Sequence, residues 1–180
     1  MTEFKTGDKV IEPTIGICEI QGIRLMVVDG KLTDFYVFAG PNNATVLVPK
    51  HQIERRGVRL PMTKEETKKV IASLKVPTSP EKDSPHNQYT KFREVLNTGD
   101  PLKISKLLRD LYILDQNNAL KGKEREIMEM AKKFLVDEIC YVRDESRTKV
   151  TEEIEDALRQ MFKKKAQKER EEKKKSAKKK

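Results

Sequence analysis

The side chains able to carry out chemistry are few and scattered. The two histidines, His51 and His86, stand in separate segments, and no Cys or His spacing matches a zinc site. No glycine-rich loop precedes a Lys-Ser or Lys-Thr pair, so the chain offers no cradle for nucleotide phosphates. Cys18 and Cys140 fall in strand-like and helix-like apolar settings, where a free thiol behaves as a small hydrophobe; both are expected reduced. The acid pairs Glu65-Glu66, Asp137-Glu138 and Glu152-Glu153 read as helix-surface acids, some placed to favour a helix N-terminus. The expectation is a chain with no catalytic residues, no metal and no cofactor: a binding protein and not an enzyme.

Charge is the chemistry that remains, and it is concentrated at one end. Residues 163–180 hold eleven lysines and arginines against three glutamates, so they carry nearly all of the net +9. Such a tail suits phosphate backbones, but by itself it says nothing about the folded part. Inside the chain, Lys121, Lys123, Arg125 and Lys132 on one predicted helix, with Lys91 and Arg93 on another, are candidates to converge on DNA phosphates. The other reading of these bases is solvated surface charge, with the acids Glu124, Glu126 and Glu129 interleaved among them.

The elements that must position these residues change character at Pro61. Six of the eight glycines precede it, among β-branched runs, and the stretch after it has helical periodicity. Before the break, Lys9-Val10-Ile11, a run holding Ile17 and Ile20, Leu25–Val28, Phe35–Phe38 and Ala44–Val48 read as about five short strands. Asp29-Gly30 suits a type I′ hairpin turn, and Pro41-Asn42-Asn43 another turn. These features predict a small SH3- or Tudor-like β-barrel with Val10, Ile17, Ile20, Val37 and Val46 in its core. Leu47 alternates with Val46 and Val48, so it should point away from that core, on a strand able to accept a partner.

After the break, Thr63 to Glu66 forms a capping box ahead of Val70, Ile71 and Leu74. Ser84-Pro85 and Asp100-Pro101 each place a cap before a first-turn proline. Stripes through Tyr89, Phe92 and Leu96, through Ile104 to Leu111, through Ile127 to Val142, and through Val150 to Phe162 predict four or five amphipathic helices in a bundle. The fold class is therefore α+β in two domains. Its boundaries are 1–62 for the barrel, 63–162 for the bundle and 163–180 for the basic tail. No run approaches the ~20 apolar residues of a spanning helix, and the N-terminus lacks a signal-peptide core, so a cytoplasmic protein is expected, associated with the nucleoid if the chain binds DNA.

Taken in order, several segments resemble the CarD/CdnL family of bacterial transcription regulators. They are Phe4 to Val10, the Pro13–Gly16 turn, Val48-Pro49, Thr98-Gly99-Asp100, Arg109 to Tyr112 with Asp115-Gln116, and Leu120 to Glu124 with Ala131 and Leu135. The first domain of that family also resembles the polymerase-interacting domain of transcription-repair coupling factor. The resemblance spans about residues 4–140. It implies a Tudor-like domain that binds the RNA polymerase β subunit and a helical domain that contacts promoter DNA and stabilises the open complex. It places Met26, Leu47 and Pro49 at the polymerase contact and Pro85, Tyr89, Lys91 and Arg125 at DNA. Met26 and Leu47 stand where some members have arginines, so an apolar contact takes the place of salt bridges. Pro85 stands where many members carry a Trp wedge, in a chain that has no Trp. It is open to two readings, an apolar wedge or an ordinary first-turn proline. A monomer bound to polymerase and promoter is the leading expectation. A nonspecific nucleoid-associated DNA binder acting through the lysine tail comes second, and a peptide-binding scaffold third.

Overall fold

The computed structural model describes residues 3–41, 44–80 and 85–177. Asn42 and Asn43 of the second expected turn and Ser84, the expected cap before Pro85, lie outside the described residues. The N-terminal part is a four-stranded antiparallel meander: β1 (Lys9–Glu12), β2 (Gly16–Val28), β3 (Lys31–Ala39) and β4 (Thr45–Pro49), in that spatial order. Two segments expected as separate strands are one, because a bulge between Ile20 and Gly22 takes up the break in alternation and lets β2 run for 13 residues. Asp29 and Gly30 close the β2–β3 hairpin with φ of 52° and 74°, the geometry a type I′ turn demands.

The expected barrel is an open sheet. Among the described residues β4 pairs with β3 alone, and the outer edge of β1 receives only Arg59, through Ile11 N–H to Arg59 O at 2.7 Å and Arg59 N–H to Ile11 O at 3.1 Å. Phe4, Val10, Cys18, Ile20, Tyr36, Phe38, Val48, Ile53 and Val58 form its core. Ile17, expected there, is only half-buried, and Val46 packs on the margin. Ile17 and Ile20 are three residues apart, so one strand cannot point both to the same face.

The helices are α1 (Lys64–Leu74), α2 (Pro85–Asn97), α3 (Pro101–Gln116), α4 (Gly122–Arg143) and α5 (Arg147–Ala177). Both described caps form as expected. Thr63 Oγ1 accepts from Glu66 N–H at 3.2 Å while Glu66 Oε2 accepts from Thr63 N–H at 2.7 Å. Asp100 Oδ1 accepts from Leu102 and Lys103 N–H at 2.9 and 3.2 Å. Val70, Leu74, Ile104, Leu108, Leu111, Ile127, Leu135, Ile139, Ile154 and Leu158 share one core. Residues 163–177, expected as a tail separate from the bundle, continue α5 without a break. Full burial ends at Met161; Phe162, whose ring meets Tyr112 edge-on at 6.4 Å, and Lys165, whose Nζ reaches Ser79 Oγ at 3.3 Å, are half-buried beyond it.

Sheet and bundle are joined by a polar hub. Arg59 forks onto Glu138, Nη1 to Oε1 and Nη2 to Oε2 both at 2.6 Å, and its Nε donates to Gly99 O at 2.7 Å. Glu138 Oε1 also accepts from Met62 N–H at 2.8 Å. Glu138, expected on the surface, is thus 1% exposed. Periodicity placed it on a helix but could not say that Arg59 would come to meet it. Beside the hub, Gly57 and Gly99 approach back to back, both with positive φ (68° and 64°); a Cβ on Gly57 would lie 2.6 Å from Thr98 O.

Candidate polymerase and nucleic-acid interfaces

Strand register brings Met26, Leu47 and Pro49 onto one face of the sheet. Met26 pairs with Thr33, Pro49 with Phe35 and Leu47 with Val37, and Thr33, Phe35 and Val37 alternate along the same side of β3. The patch runs about 13 Å along the strands and about 10 Å across two strand spacings. Met26, Leu47, Pro49 and Phe35 are all half-buried, and β4 is an edge strand among the described residues. Tyr36 and Val48 face the other way, into the core.

The hairpin also carries a feature that the alternation pattern did not reveal. Beyond the end of β4, β2 and β3 continue as a two-stranded ribbon, and on its core-side face Leu25, Val27 and Leu32 are 58–70% exposed. From the sequence these residues read as ordinary strand apolar positions; only the lengths of the neighbouring strands leave them uncovered.

The expected DNA contacts divide between two flanks of α2. Tyr89 faces α4, where Lys123 lies over its ring at 5.8 Å, and Arg125 follows one turn into α4. Arg125 is exposed but engaged, its Nη2 2.9 Å from Asp115 Oδ1 at the end of α3. Tyr89, Arg93, Leu96, Met130, Lys133 and Phe134 line a cleft of about 530 Å³ that the Pro13–Gly16 turn closes from the sheet side. Lys91 lies on the opposite flank, in a groove shared with α3. Pro85 heads α2, four residues before Tyr89. Glu124, expected as a solvated acid among these bases, is buried and accepts from Lys121 N–H at 2.9 Å, capping its own helix. Lys132 is engaged with Glu155 at 2.5 Å.

Neither cysteine is poised for chemistry. Burial pushes the Cys18 thiol up to about 11, and it raises Cys140 as well. Among the described residues no group of three or more His, Cys, Asp or Glu is arranged to hold a metal ion, and no helix is long and apolar enough to cross a membrane.

Residues 4–61 match the CarD-like/TRCF RID domain, and residues 69–155 match the CarD C-terminal domain. The chain belongs to the CarD/CdnL family. It is thereby a transcription-related regulator that interacts with RNA polymerase through its RID domain. In this CarD-family chain the two matched regions meet at the polar hub, since Arg59 lies in the first and Glu138 in the second. Thr98-Gly99-Asp100, one of the segments carrying the resemblance, acquires a physical role there. Gly99 supplies positive φ and a close approach to Gly57 and Pro13, while Asp100 caps α3. Arg109-Asp110 has a structural role too: Arg109 is buried, its Nη1 donates to Val76 O at 2.8 Å, and Asp110 accepts from Thr78 Oγ1 at 3.0 Å, so both hold the segment after α1.

Proposed function

We propose that this CarD-family chain binds the RNA polymerase β subunit through the Met26–Leu47–Pro49 face, contacts promoter DNA through α2 and the start of α4, and stabilises the open complex. The observation that carries this reading is the convergence, by register alone, of three residues from two strands onto one half-buried face of the RID domain. An edge strand beside an apolar patch is a surface that a protein partner covers. In this reading residues 1–62 capture polymerase and 63–162 deliver the DNA contact. Tyr89, with Lys123 over its ring, presents an aromatic face beside a cation, suited to backbone contact and to a base step opened at the bubble edge, and Arg125 adds a further cation near the start of α4. Pro85 leads that face into the DNA, and Lys91, on the far flank of α2, supplies a peripheral phosphate contact. The protein acts as a monomer on the polymerase, in the nucleoid, without catalysis or cofactor.

The test is capture of purified β subunit by the full chain and by Leu47→Asp. A carboxylate desolvated in an apolar contact is costly, so Leu47→Asp should weaken capture by at least roughly tenfold while the far-ultraviolet spectrum is unchanged. Equal capture by a folded variant removes this face from the interface.

A second reading rests on α5, which carries the lysine-rich segment as a helix beyond the bundle core. In that reading the chain is a nonspecific DNA-binding protein of the nucleoid for which the sheet is dispensable. Loss of promoter response on removing the sheet face favours the first; loss of all DNA binding on removing residues 163–180 favours the second.

A further inference from the structure

The two flanks of α2 face different surroundings, and the one turned to α3 has a composition that DNA contact does not account for. Phe92 and Val95 of α2 and Leu107 and Leu114 of α3 floor a groove of about 280 Å³, which Pro80 also lines. Lys103 and Lys106 stand exposed on its α3 rim, with Lys91 opposite. On α3, positions 103, 106 and 107, 110 and 114 recur at three- and four-residue spacing, so Lys103 and Lys106 run beside Leu107 and Leu114 along the same helix, with Asp110 between them accepting from Thr78 Oγ1.

Size and charge together select the occupant. The volume, about 280 Å³, lies at the lower limit of the ~300–1,000 Å³ of ordinary small-molecule pockets and has room for a few anchoring side chains. The stretch of α3 that lines it, 103 to 114, is about 17 Å long, which is three turns of a helix laid alongside. A phosphate backbone would use the lysines and leave the apolar floor wet. An acidic helix with one apolar stripe uses both: anchors into the floor and carboxylates to the rim.

We infer that the α2–α3 groove is a docking site for an acidic amphipathic helix of a protein partner. The groove shares Lys91 with the promoter reading, but the inference rests on the apolar floor and on Lys103 and Lys106, which that reading does not use.

The experiment titrates the full, isotopically labelled chain with a synthetic peptide of about twelve residues, three helical turns. Its leucines are spaced i, i+4, i+7 on one face, with glutamates elsewhere. A second peptide of the same composition has the leucines scattered around the helix. The expected result is saturable amide shifts confined to 88–95 and 103–114 with the first peptide, at least roughly tenfold weaker binding of the second, and a similar loss with the surface variant Lys103→Glu/Lys106→Glu. Replacing the peptide leucines by serine should abolish binding, which tests the floor without altering the protein. The inference is overturned by absence of saturable shifts, by equal binding of the scattered peptide, or by a DNA duplex that displaces the first peptide from the same amides and so claims the groove for nucleic acid.

Discussion

Arg59 and Glu138 meet in parallel, nitrogen to oxygen at 2.6 Å twice over, although 79 residues separate them in the chain. Arg59 also completes an isolated bridge with Ile11 on the edge of the sheet, so one residue ties β1, the segment ending at Met62 and α4 together. This contact therefore bears directly on the relative placement of the polymerase-interacting sheet and the helical region.

Breaking the pair from one side should be expensive. Glu138→Ala leaves the Arg59 fork and Met62 N–H without their acceptor, and we expect a loss of about 3 kcal/mol, near the low end for a buried pair because Arg59 keeps a quarter of its side chain in water. Arg59→Met combined with Glu138→Leu should cost less than the sum of Arg59→Met alone and Glu138→Leu alone, the wild-type chain completing the cycle, since no charge is then stranded. Urea unfolding of the four proteins measures the coupling, and additive costs would show that the hub contributes nothing as a pair.

Pro85 separates the wedge from the first-turn role. Replacing it by Trp should lengthen the lifetime of the polymerase–promoter open complex more than Pro85→Ala shortens it. An indole at the head of α2 can stack on an opened base step, whereas loss of proline only perturbs a helix start. Dissociation rates of promoter complexes under competitor challenge decide the matter. A steep loss with Ala and no gain with Trp makes Pro85 itself the wedge.

Deleting residues 163–180 should spare the bundle core, because Met161 and Phe162 are the last α5 side chains in its apolar cluster, and the deletion removes the half-buried Lys165 with its 3.3 Å contact to Ser79 Oγ. Ion pairing within the extension, Lys165 to Glu169 at 2.7 Å, withholds part of its eleven positive charges from DNA. The log-log salt dependence of DNA binding should flatten by roughly 0.9 for each phosphate no longer neutralised, and by the equivalent of about three to six phosphates in all. Promoter and random duplexes should be affected alike. Superimposable slopes for 1–162 and the full chain would leave the extension as a solvated helix without a DNA role.

Cys18 predicts a pH dependence with a definite sign. Its folded value of about 11 lies above the ordinary 9.0, so between these limits the unfolded chain has released a proton that the folded chain keeps. Stability contributed by the neutral buried thiol is therefore complete below about pH 9 and falls as pH rises toward 11. Cys18→Ala should remove this component, leaving a shallower decline of the unfolding midpoint between about pH 9 and 10.5. Parallel declines in the two proteins would show that burial does not hold the thiol neutral.

Local signals in the sequence determined every element whose cause is local. The capping oxygens of Thr63 and Asp100, the apolar stripes of α1, α3, α4 and α5, and the positive-φ pair Asp29-Gly30 act within four residues of themselves, and each appears where the chain places it. Alternation likewise put Leu47 and Val48 on opposite sides of β4, and ordered short segments were enough to point to the family. Tertiary structure decided what depends on the lengths and meetings of elements. Whether two β segments are separate strands or one depended on a single bulged residue. Whether the sheet closed depended on a pairing of β4 with β1 that no local signal encodes. Glu138 and Glu124 looked like solvated acids until Arg59 and the Lys121 amide were seen to reach them. The division of α2 into a flank facing α4 and a flank facing α3, which separates Tyr89 from Lys91, arises only when two helices pack on it from different sides. Burial and partnership are properties of pairs of distant residues, and a periodic pattern reports only on one member of each pair.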